Sequence, residues 1–254
     1  MTIKARTLLT GLAAAAALTL AGCHKKADET ASTGATTPAA SGPVAAAPAG
    51  GWTEQVTATP DGGFLMGNPD APVKLIEYGS RTCPHCGHFT EEGVPLLKSK
   101  YVATGKVSYE FRDYAIHAPD IAAILLGQCN GAQTFFPILD QMMADQTNTL
   151  PKLEKLPDSF TQGLNGKTPT QQASMWADQL GYLSFVGQRG VPETKGRACL
   201  ADQKAVDALI AHMNDGTKRY NITGTPTFVI NGTPAANVYD WQSLEPALKT
   251  ALGS

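Results

Sequence analysis

A pair of cysteines at the junction of a predicted strand and a predicted helix constrains this chain more than any other feature. Cys83-Pro84-His85-Cys86 follows the β-rich run 73–78 and begins a helical stretch that continues to about Tyr101. Cysteines at this spacing can close a small disulfide ring, with the first sulfur at the helix amino end. Unpaired N–H groups, the helix dipole and the neighbouring histidine there favour a thiolate. We therefore expect Cys83 to be the outward, attacked sulfur and Cys86 to be the resolving one.

Other roles for this cysteine pair receive less support from the sequence. A purely structural disulfide across two residues barely constrains an unfolded chain, so its contribution to stability would be small. A zinc site could use Cys83, Cys86 and His88, but no second Cys-x-x-Cys or histidine pair completes a tetrahedral ligand set. A copper chaperone could use the same three residues with Met143 or another distant ligand. Redox exchange is the favoured prediction, without a metal or an organic cofactor, because the cysteine pair itself carries both electrons.

Strand and helix patterns alternate along the folded part of the chain. After the first buried strand, the alternating apolar residues in 105–113 predict a second strand, and 117–218 is mostly helical. Three more elements complete the pattern: a strand over 227–230, a continuation of strand near 237–239 and a closing helix after Asp240. The order predicts an α/β fold in which a helical insertion interrupts a central sheet.

Several local signals subdivide the helical stretches. Pro95 is expected to kink the helix that begins at the cysteine pair. Thr168 has a capping-box partner and is followed by proline, which predicts a helix start. The segment 150–167 is rich in proline, glycine and lysine and is expected to be a surface excursion.

The first 22 residues have the organisation of a signal peptide. Two basic residues precede an uncharged apolar run over 8–20, which is too short to span a membrane and suits a signal-peptide core. The run ends in Leu20-Ala21-Gly22-Cys23, which resembles the lipobox of bacterial lipoproteins. We therefore expect 1–22 to be removed and Cys23 to be lipidated. The alternative is an ordinary signal peptide cut near Ala21.

Residues 23–51 are expected to form a flexible, lipid-anchored tether. From 25 to 51 the segment is rich in Ala, Pro and Thr and contains no aromatic residue. It cannot bury enough apolar surface to offset its ordering entropy. The folded part is therefore predicted to start near Trp52.

The five cysteines of the chain can all be assigned a role. Cys129 and Cys199 fall on apolar helical faces, where the simplest interpretation is two buried thiols. In the oxidising compartment that a signal peptide implies, a bridge is favoured over two free thiols. We therefore predict a structural Cys129–Cys199 disulfide, besides the anchor and the reactive pair.

The sequence around the cysteine pair resembles the DsbA-like branch of the thioredoxin superfamily. The resemblance rests on Phe64 to Phe89, including Gly67-Asn68-Pro69-Asp70-Ala71-Pro72-Val73 and Glu77-Tyr78, and on Gly224-Thr225-Pro226-Thr227-Phe228. It covers nearly all of 62–252. It implies a thioredoxin-like fold with a mostly helical domain inserted between the second parallel strand and the cis-Pro loop. The implied divisions are 52–116 for the first part of the thioredoxin-like domain, 117–218 for the insertion and 219–254 for the second part.

The resemblance also implies a role for each residue of the site. Cys83 is the nucleophile and Cys86 its resolver, with Pro84 and His85 tuning their reactivity. Thr225 and Pro226 form the substrate-facing loop, with Pro226 in cis, and the alternative is a plain trans turn before a strand. Glu77 matches a buried acid that assists proton transfer in relatives, and the alternative is a surface charge on an edge strand.

The expected function is that of a periplasm-facing, lipid-anchored protein thiol–disulfide oxidoreductase, with oxidation as the expected direction. Its implied partners are exported proteins with cysteines and a membrane quinone-linked, DsbB-like protein. Thr225, where the best-known oxidases have valine, keeps a disulfide isomerase or reductase as an alternative. A metal chaperone and a non-catalytic holdase on the same scaffold also stay open. A formal net charge of −2 argues against nucleic-acid binding, and a monomer is expected.

Overall fold

A six-stranded mixed sheet forms the centre of the fold in a computed structural model that describes residues 45–253. The strand order is β1-β2-β4-β3-β5-β6, with β3 and β4 parallel and the other neighbours antiparallel. The strands are β1 (Val56–Ala58), β2 (Phe64–Met66), β3 (Val73–Gly79), β4 (Val107–Asp113), β5 (Thr227–Ile230) and β6 (Thr233–Pro234).

Helices account for most of the remaining described chain. They are α1 (Pro84–Glu92), α2 (Val94–Lys100), α3 (Asp120–Gln128), α4 (Ala132–Ala144), α5 (Gln146–Leu153), α6 (Asp158–Gly163), α7 (Pro169–Leu180), α8 (Tyr182–Gly187), α9 (Glu193–Leu200), α10 (Gln203–Tyr220) and α11 (Trp241–Leu252). Short 3₁₀ turns cover Trp52–Glu54 and Val102–Thr104.

The two parallel strands are buried on both faces. Every residue of β4 is buried, as are all residues of β3 except the half-buried Lys74. Helix-covered parallel strands have this character because both faces lie against packed side chains. The end of β3, which leads into the cysteine segment, therefore lies within the buried part of the molecule.

Helices α3 to α10 separate β4 from β5 along the chain. They enclose a core of their own, centred on side chains such as Leu126, Trp176 and Val186, whereas a second core packs against the sheet around Phe89, Phe111 and Phe228. The predicted α/β class, with a mostly helical segment after the second parallel strand, is confirmed.

Several local predictions differ from the structure. The hairpin β1–β2 was not predicted, because its three-residue strands are too short for a periodic signal. The first helix breaks at Gly93 instead of kinking at Pro95, which lies in the first turn of α2, where proline is tolerated. The last strand is at 233–234 and not near 237–239.

In the helical insertion, one prediction is confirmed and another differs from the structure. The predicted helix start at Thr168 is confirmed, with a full capping box to Gln171. Residues 150–167 contain the end of α5 and all of α6, so the expected excursion is partly helical. Phe160 of α6 packs edge-on against Trp176 of α7, with ring centroids 4.8 Å apart, which joins this segment to the helical core.

The predicted signal peptide 1–22, the lipidation site Cys23 and most of the tether 23–51 lie outside the described residues. Within 45–253, none of the helices combines the length and apolar character required to cross a bilayer.

Candidate active site

The Cys83-Pro84-His85-Cys86 segment forms the start of α1. Cys83 is the N-cap residue, and Pro84 occupies the first helical turn, where its fixed φ suits the helix and its missing N–H costs nothing. The side chains of Pro84 and His85 are exposed, whereas Cys83 is 3% exposed and Cys86 is fully buried. Both cysteines are free thiols in this structure. Cys83 therefore lies at the outer end of the pair and Cys86 in the interior.

The loop before β5 closes over the first sulfur. The Thr225–Pro226 peptide bond is cis. Because β5 pairs with β3, the strand that leads into the cysteine segment, Thr225 comes beside Cys83. The Cys83 thiol donates a hydrogen bond to the Thr225 carbonyl oxygen, with Sγ and oxygen 3.2 Å apart.

The two sulfurs differ sharply in acidity. A hydrogen bond from the Cys86 thiol is the largest of the effects that lower the pKa of Cys83 to about 5, ahead of the Thr225 side chain and the N–H groups of Cys86 and His85. The Thr225 hydroxyl oxygen is buried without a hydrogen-bond partner among residues 45–253, so it can donate to the thiolate once Cys83 ionises. Burial, followed by the proximity of Cys83, raises the pKa of Cys86 well above its usual value.

Glu77 is a fully buried acid in the middle of the sheet. It lies on β3 between β4 and β5 and has no exposed surface, so it is not an edge-strand surface charge. Its Oε2 accepts a 2.6 Å hydrogen bond from the Tyr109 hydroxyl. Burial raises the pKa of Glu77 to about 8, opposed by the Tyr109 hydrogen bond and reinforced by the charges of Cys83 and Asp140. A carboxyl with this pKa can exchange a proton near neutral pH.

A buried ion pair anchors the segment just before Cys83. The Arg81 guanidinium donates to both carboxylate oxygens of Asp113 at the end of β4, at 2.7 and 3.0 Å. Both side chains are almost completely inaccessible. A Cβ at Gly127 would lie 2.1 Å from Arg81 Nη1, so glycine is required for the guanidinium to lie against α3.

Two polar side chains from the helical block hold the same segment. Asp120 accepts hydrogen bonds from the Ser80 hydroxyl and the Thr82 N–H at about 3.0 Å. Gln146 Nε2 donates to the carbonyl oxygens of Arg81 and Cys83, both at 3.1 Å. The helical block therefore positions the backbone that carries Cys83.

Sequence reasoning missed these supporting residues. Asp113 and Asp120 could have been suspected, because acidic residues at a strand end and at a helix start often bind backbone or basic groups. Nothing in the sequence pattern singles out Gln146. Its close approach depends on Gly87, where a Cβ would lie 2.6 Å from Gln146 Oε1.

A cavity of about 460 Å³ opens between His85 and the cis-Pro loop. His85, the Thr223–Thr227 loop and Tyr239 contribute to its walls. None of the described residues that line it is Asp, Glu, Lys or Arg. Tyr239 is 60% exposed, which is high for a tyrosine and leaves its ring available for contact.

The remaining candidate residues lie outside this centre. His88, the third residue of the zinc alternative, is exposed and pairs with Glu92 at 3.3 Å. Across 45–253 there is no group of three or more His, Cys, Asp or Glu side chains arranged to hold a metal ion. Cys129 and Cys199 are joined by a disulfide with a Cα–Cα distance of 5.9 Å, linking the end of α3 to α9.

Comparison with known proteins identifies the family. A sequence model described as Thioredoxin matches residues 59–250. The chain belongs to the thioredoxin family. The match includes β3, the cysteine segment, the whole helical block and the cis-Pro loop.

Two curated relatives of this thioredoxin-family chain come from Rickettsia. The Rickettsia bellii protein is 29% identical over 74% of this chain and 64% of its own length. The Rickettsia felis protein is 31% identical over 76% of this chain and 61% of its own length. Both are provisionally named protein-disulfide oxidoreductases. The chain therefore spans a little over three fifths of the length of these relatives.

Solved structures show the same fold. A protein-disulfide isomerase from Novosphingobium aromaticivorans superposes with a TM-score of 0.73 at 30% identity, covering 76% of this chain and 99% of its own. The α-DsbA1 protein of Wolbachia pipientis has a TM-score of 0.60 at 21% identity, covering 74% of this chain and 90% of its own. The similarity to the Wolbachia protein is a similarity of fold.

Proposed function

We propose that this protein is a thiol–disulfide oxidoreductase that exchanges disulfides with the cysteines of exported proteins through Cys83 and Cys86. The observation that supports this most is the opposite tuning of the two sulfurs. Cys83 has a pKa lowered to about 5 beside the cis-Pro loop, whereas burial raises that of Cys86. A sulfur that is stable as a thiolate is a good leaving group, which makes the disulfide form a strong oxidant.

Oxidation of a substrate proceeds in two exchanges. A substrate thiolate attacks Cys83 Sγ in the Cys83–Cys86 disulfide, forming a mixed disulfide and releasing the Cys86 thiolate. A second substrate thiolate then attacks the substrate sulfur of the mixed disulfide. Cys83 leaves as a thiolate, so the substrate is oxidised by two electrons and the enzyme is reduced by two.

Glu77 supplies the proton that the buried Cys86 thiolate requires. Because burial raises the pKa of Cys86, a bare thiolate there is costly and takes up a proton. Glu77 is protonated at neutral pH when its pKa is about 8, and its charge interacts with Cys86. In the reverse direction the Glu77 carboxylate accepts the proton back before Cys86 attacks.

The cavity beside the cis-Pro loop, whose described lining includes no Asp, Glu, Lys or Arg, suits an extended, largely apolar substrate segment. Pro226 has no N–H to donate, so hydrogen bonds to such a segment would come from the backbone groups on either side of it. Charged segments would lose solvation there without gaining a partner.

Oxidation is the proposed direction, and isomerisation or reduction is the second candidate. The second is favoured by the 30% identity to the Novosphingobium aromaticivorans protein-disulfide isomerase, which is matched over almost its whole length. Thr225 also differs from the valine of the best-known oxidases.

The proposed setting is the periplasmic side of a bacterial membrane, with Cys23 as the lipid anchor. The proposed recycling partner is a membrane quinone-linked, DsbB-like protein. The lipobox-like sequence before Cys23 supports the anchor.

The test is oxidation of a reduced, unfolded ribonuclease by the oxidised protein. Wild type should restore ribonuclease activity and Cys83→Ser should abolish the gain. Cys86→Ser, whose Cys83 thiolate can attack a disulfide but cannot be released by a resolving cysteine, should accumulate the mixed disulfide with a substrate that already contains a disulfide. Cys129→Ser/Cys199→Ser is the matched control and should keep the exchange. Normal oxidation by Cys83→Ser would overturn the proposal. Thiol trapping in cells then separates the directions, because an oxidase is held mostly oxidised and an isomerase or reductase mostly reduced.

A further inference from the structure

The two oxygens of the Glu77 carboxyl group have unlike surroundings. Oε2 accepts the Tyr109 hydroxyl hydrogen bond at 2.6 Å. Oε1 is buried and has no hydrogen-bond partner within the described part of the chain. A buried carboxyl oxygen without a partner costs folding free energy, so its presence calls for a functional explanation.

Strand register fixes this arrangement. In the parallel pair, Tyr109 of β4 lies opposite Leu75 of β3, so Tyr109 and Glu77 are diagonal neighbours on one face of the sheet. The Tyr109 ring is 1% exposed and packs against Phe136, with centroids 5.5 Å apart. The hydroxyl is therefore held at a fixed position beside Oε2.

Few charged groups act on Glu77. Besides Tyr109, the groups that influence it are the sulfurs of Cys83, the N-cap of α1, and Cys86 on α1, together with Asp140 on α4. Asp140 is itself paired with Lys98 of α2 at 2.6 Å. The Tyr109 hydroxyl is the hydrogen-bond donor that the structure gives to this carboxyl group.

We propose that Tyr109 is a positioning residue for proton exchange at Cys86, holding Oε2 so that Oε1 is the oxygen that exchanges the proton. This inference rests on the proposed function. In the resolving step, the Cys86 thiol gives its proton to the Glu77 carboxylate. The Cys86 thiolate then attacks Cys83 Sγ in a mixed disulfide, the Cys83–Cys86 bond forms, and the partner leaves as a thiolate.

Loss of the Tyr109 hydroxyl should move the pH dependence of this step. The hydrogen bond favours the ionised carboxyl and lowers the pKa of Glu77, so Tyr109→Phe should raise that pKa. A hydrogen bond to a charged group supports a shift of about one pH unit in the midpoint of the resolving rate. At pH 7 the rate should fall by up to about tenfold.

The experiment follows disulfide formation in the reduced full-length protein with oxidised glutathione. At saturating glutathione the intramolecular resolving step limits the rate, which is measured from pH 5 to 10 by acid quench and mass spectrometry. Tyr109→Phe should shift the midpoint upward. In a Glu77→Gln background, Tyr109→Phe should have no further effect if it acts through Glu77.

Tyr101→Phe is the matched control. Tyr101 is also a buried tyrosine whose hydroxyl donates to a carboxylate, that of Glu245 at 3.0 Å. Its removal should leave the pH profile unchanged. If Tyr109→Phe folds poorly, 3-fluorotyrosine at position 109 keeps the bond with a stronger donor and should shift the midpoint downward.

The outcomes separate the two proposals. If wild type forms no mixed disulfide at Cys83, the proposed function fails. If wild type exchanges normally and Tyr109→Phe keeps the wild-type profile, the role of Tyr109 is overturned. An effect that persists undiminished in the Glu77→Gln background also overturns it, because a merely structural change would not depend on Glu77.

Discussion

The sulfur of Cys83 lies 3.2 Å from the carbonyl oxygen of Thr225, although 142 positions separate the two residues in the sequence. The contact exists because β5 pairs with β3 in the middle of the sheet. The surroundings of Cys83 are thus assembled from chain segments on either side of the helical block.

Cys83 should react as a thiolate well below neutral pH. Its pKa is lowered to about 5, so alkylation by iodoacetamide should show a midpoint near pH 5. Cys86 is fully buried and its pKa is raised, so it should stay unmodified in the folded protein at neutral pH. Mass spectrometry of the reduced protein after timed alkylation measures both. A Cys83 midpoint above pH 8 would contradict the prediction.

The stability of the oxidised protein should decline as the pH rises towards 8. The folded pKa of Glu77 is raised from an ordinary value near 4.5, chiefly by burial, which the oxidised protein shares; it reaches about 8 in the reduced protein, where the Cys83 charge adds to the effect. The contribution of Glu77 to the free energy of unfolding is fully present below its ordinary pKa. It is lost as the pH rises through the folded pKa, with a slope of at most about 1.4 kcal/mol per pH unit. Denaturant unfolding between pH 5 and 8 should show this slope in wild type and a flatter one in Glu77→Gln. Equal slopes in wild type and Glu77→Gln would contradict the prediction.

The same experiment on the reduced protein should give a different slope. The folded pKa of Cys83 is lowered, so its contribution is present above the ordinary thiol pKa and is lost as the pH falls through about 5. Between pH 5 and 8 this contribution rises with pH and opposes that of Glu77. The reduced form should therefore gain stability over the oxidised form as the pH increases.

Breaking the Arg81–Asp113 pair should be strongly destabilising. Arg81→Met leaves a buried carboxylate without its cation and should lower the free energy of unfolding by about 3–5 kcal/mol. Asp113→Asn added to Arg81→Met removes the uncompensated charge and should recover part of the loss. A double-mutant cycle by denaturant unfolding measures the coupling. Additive losses would show that the two side chains act independently.

Removal of the Cys129–Cys199 disulfide should lower stability without abolishing exchange. The bridge spans 70 positions. By restricting the unfolded chain, a closed loop of that length contributes about 4 kcal/mol to the free energy of unfolding. Cys129→Ser/Cys199→Ser should unfold at lower denaturant concentration, with Cys83 and Cys86 held in the same redox state as in wild type. An unchanged midpoint would mean that the bridge does not contribute through loop closure.

The sequence predicts the parts of the site that lie close together in the chain or have a distinctive local pattern. The cysteine segment has both properties: its residues are adjacent in the chain, and a strand, an N-cap position and a proline in the first helical turn follow one another in the expected order. The buried strand 73–78 has a continuous apolar pattern, and the structure extends it by one residue to Gly79.

The remaining features depend on long-range contacts. Arg81 and Asp120 are of residue types that usually lie at the surface. They are buried because other parts of the chain pack against them, which the local sequence does not indicate. Gln146 contacts the site because α4 brings α5 against the start of α1, which no local pattern encodes. Strand β6 is two residues long, and its position depends on where the chain turns after β5.

The pairing of β5 with β3 has a consequence for the timing of biogenesis. A ribosome makes Cys83 long before Thr225, and β3 lacks its second neighbour until β5 has been synthesised and docked. A nascent chain that stops short of β5 therefore has a cysteine pair without its opposing loop. Cys83 therefore reaches its full reactivity only late in maturation. An incomplete chain does not have a fully active cysteine pair.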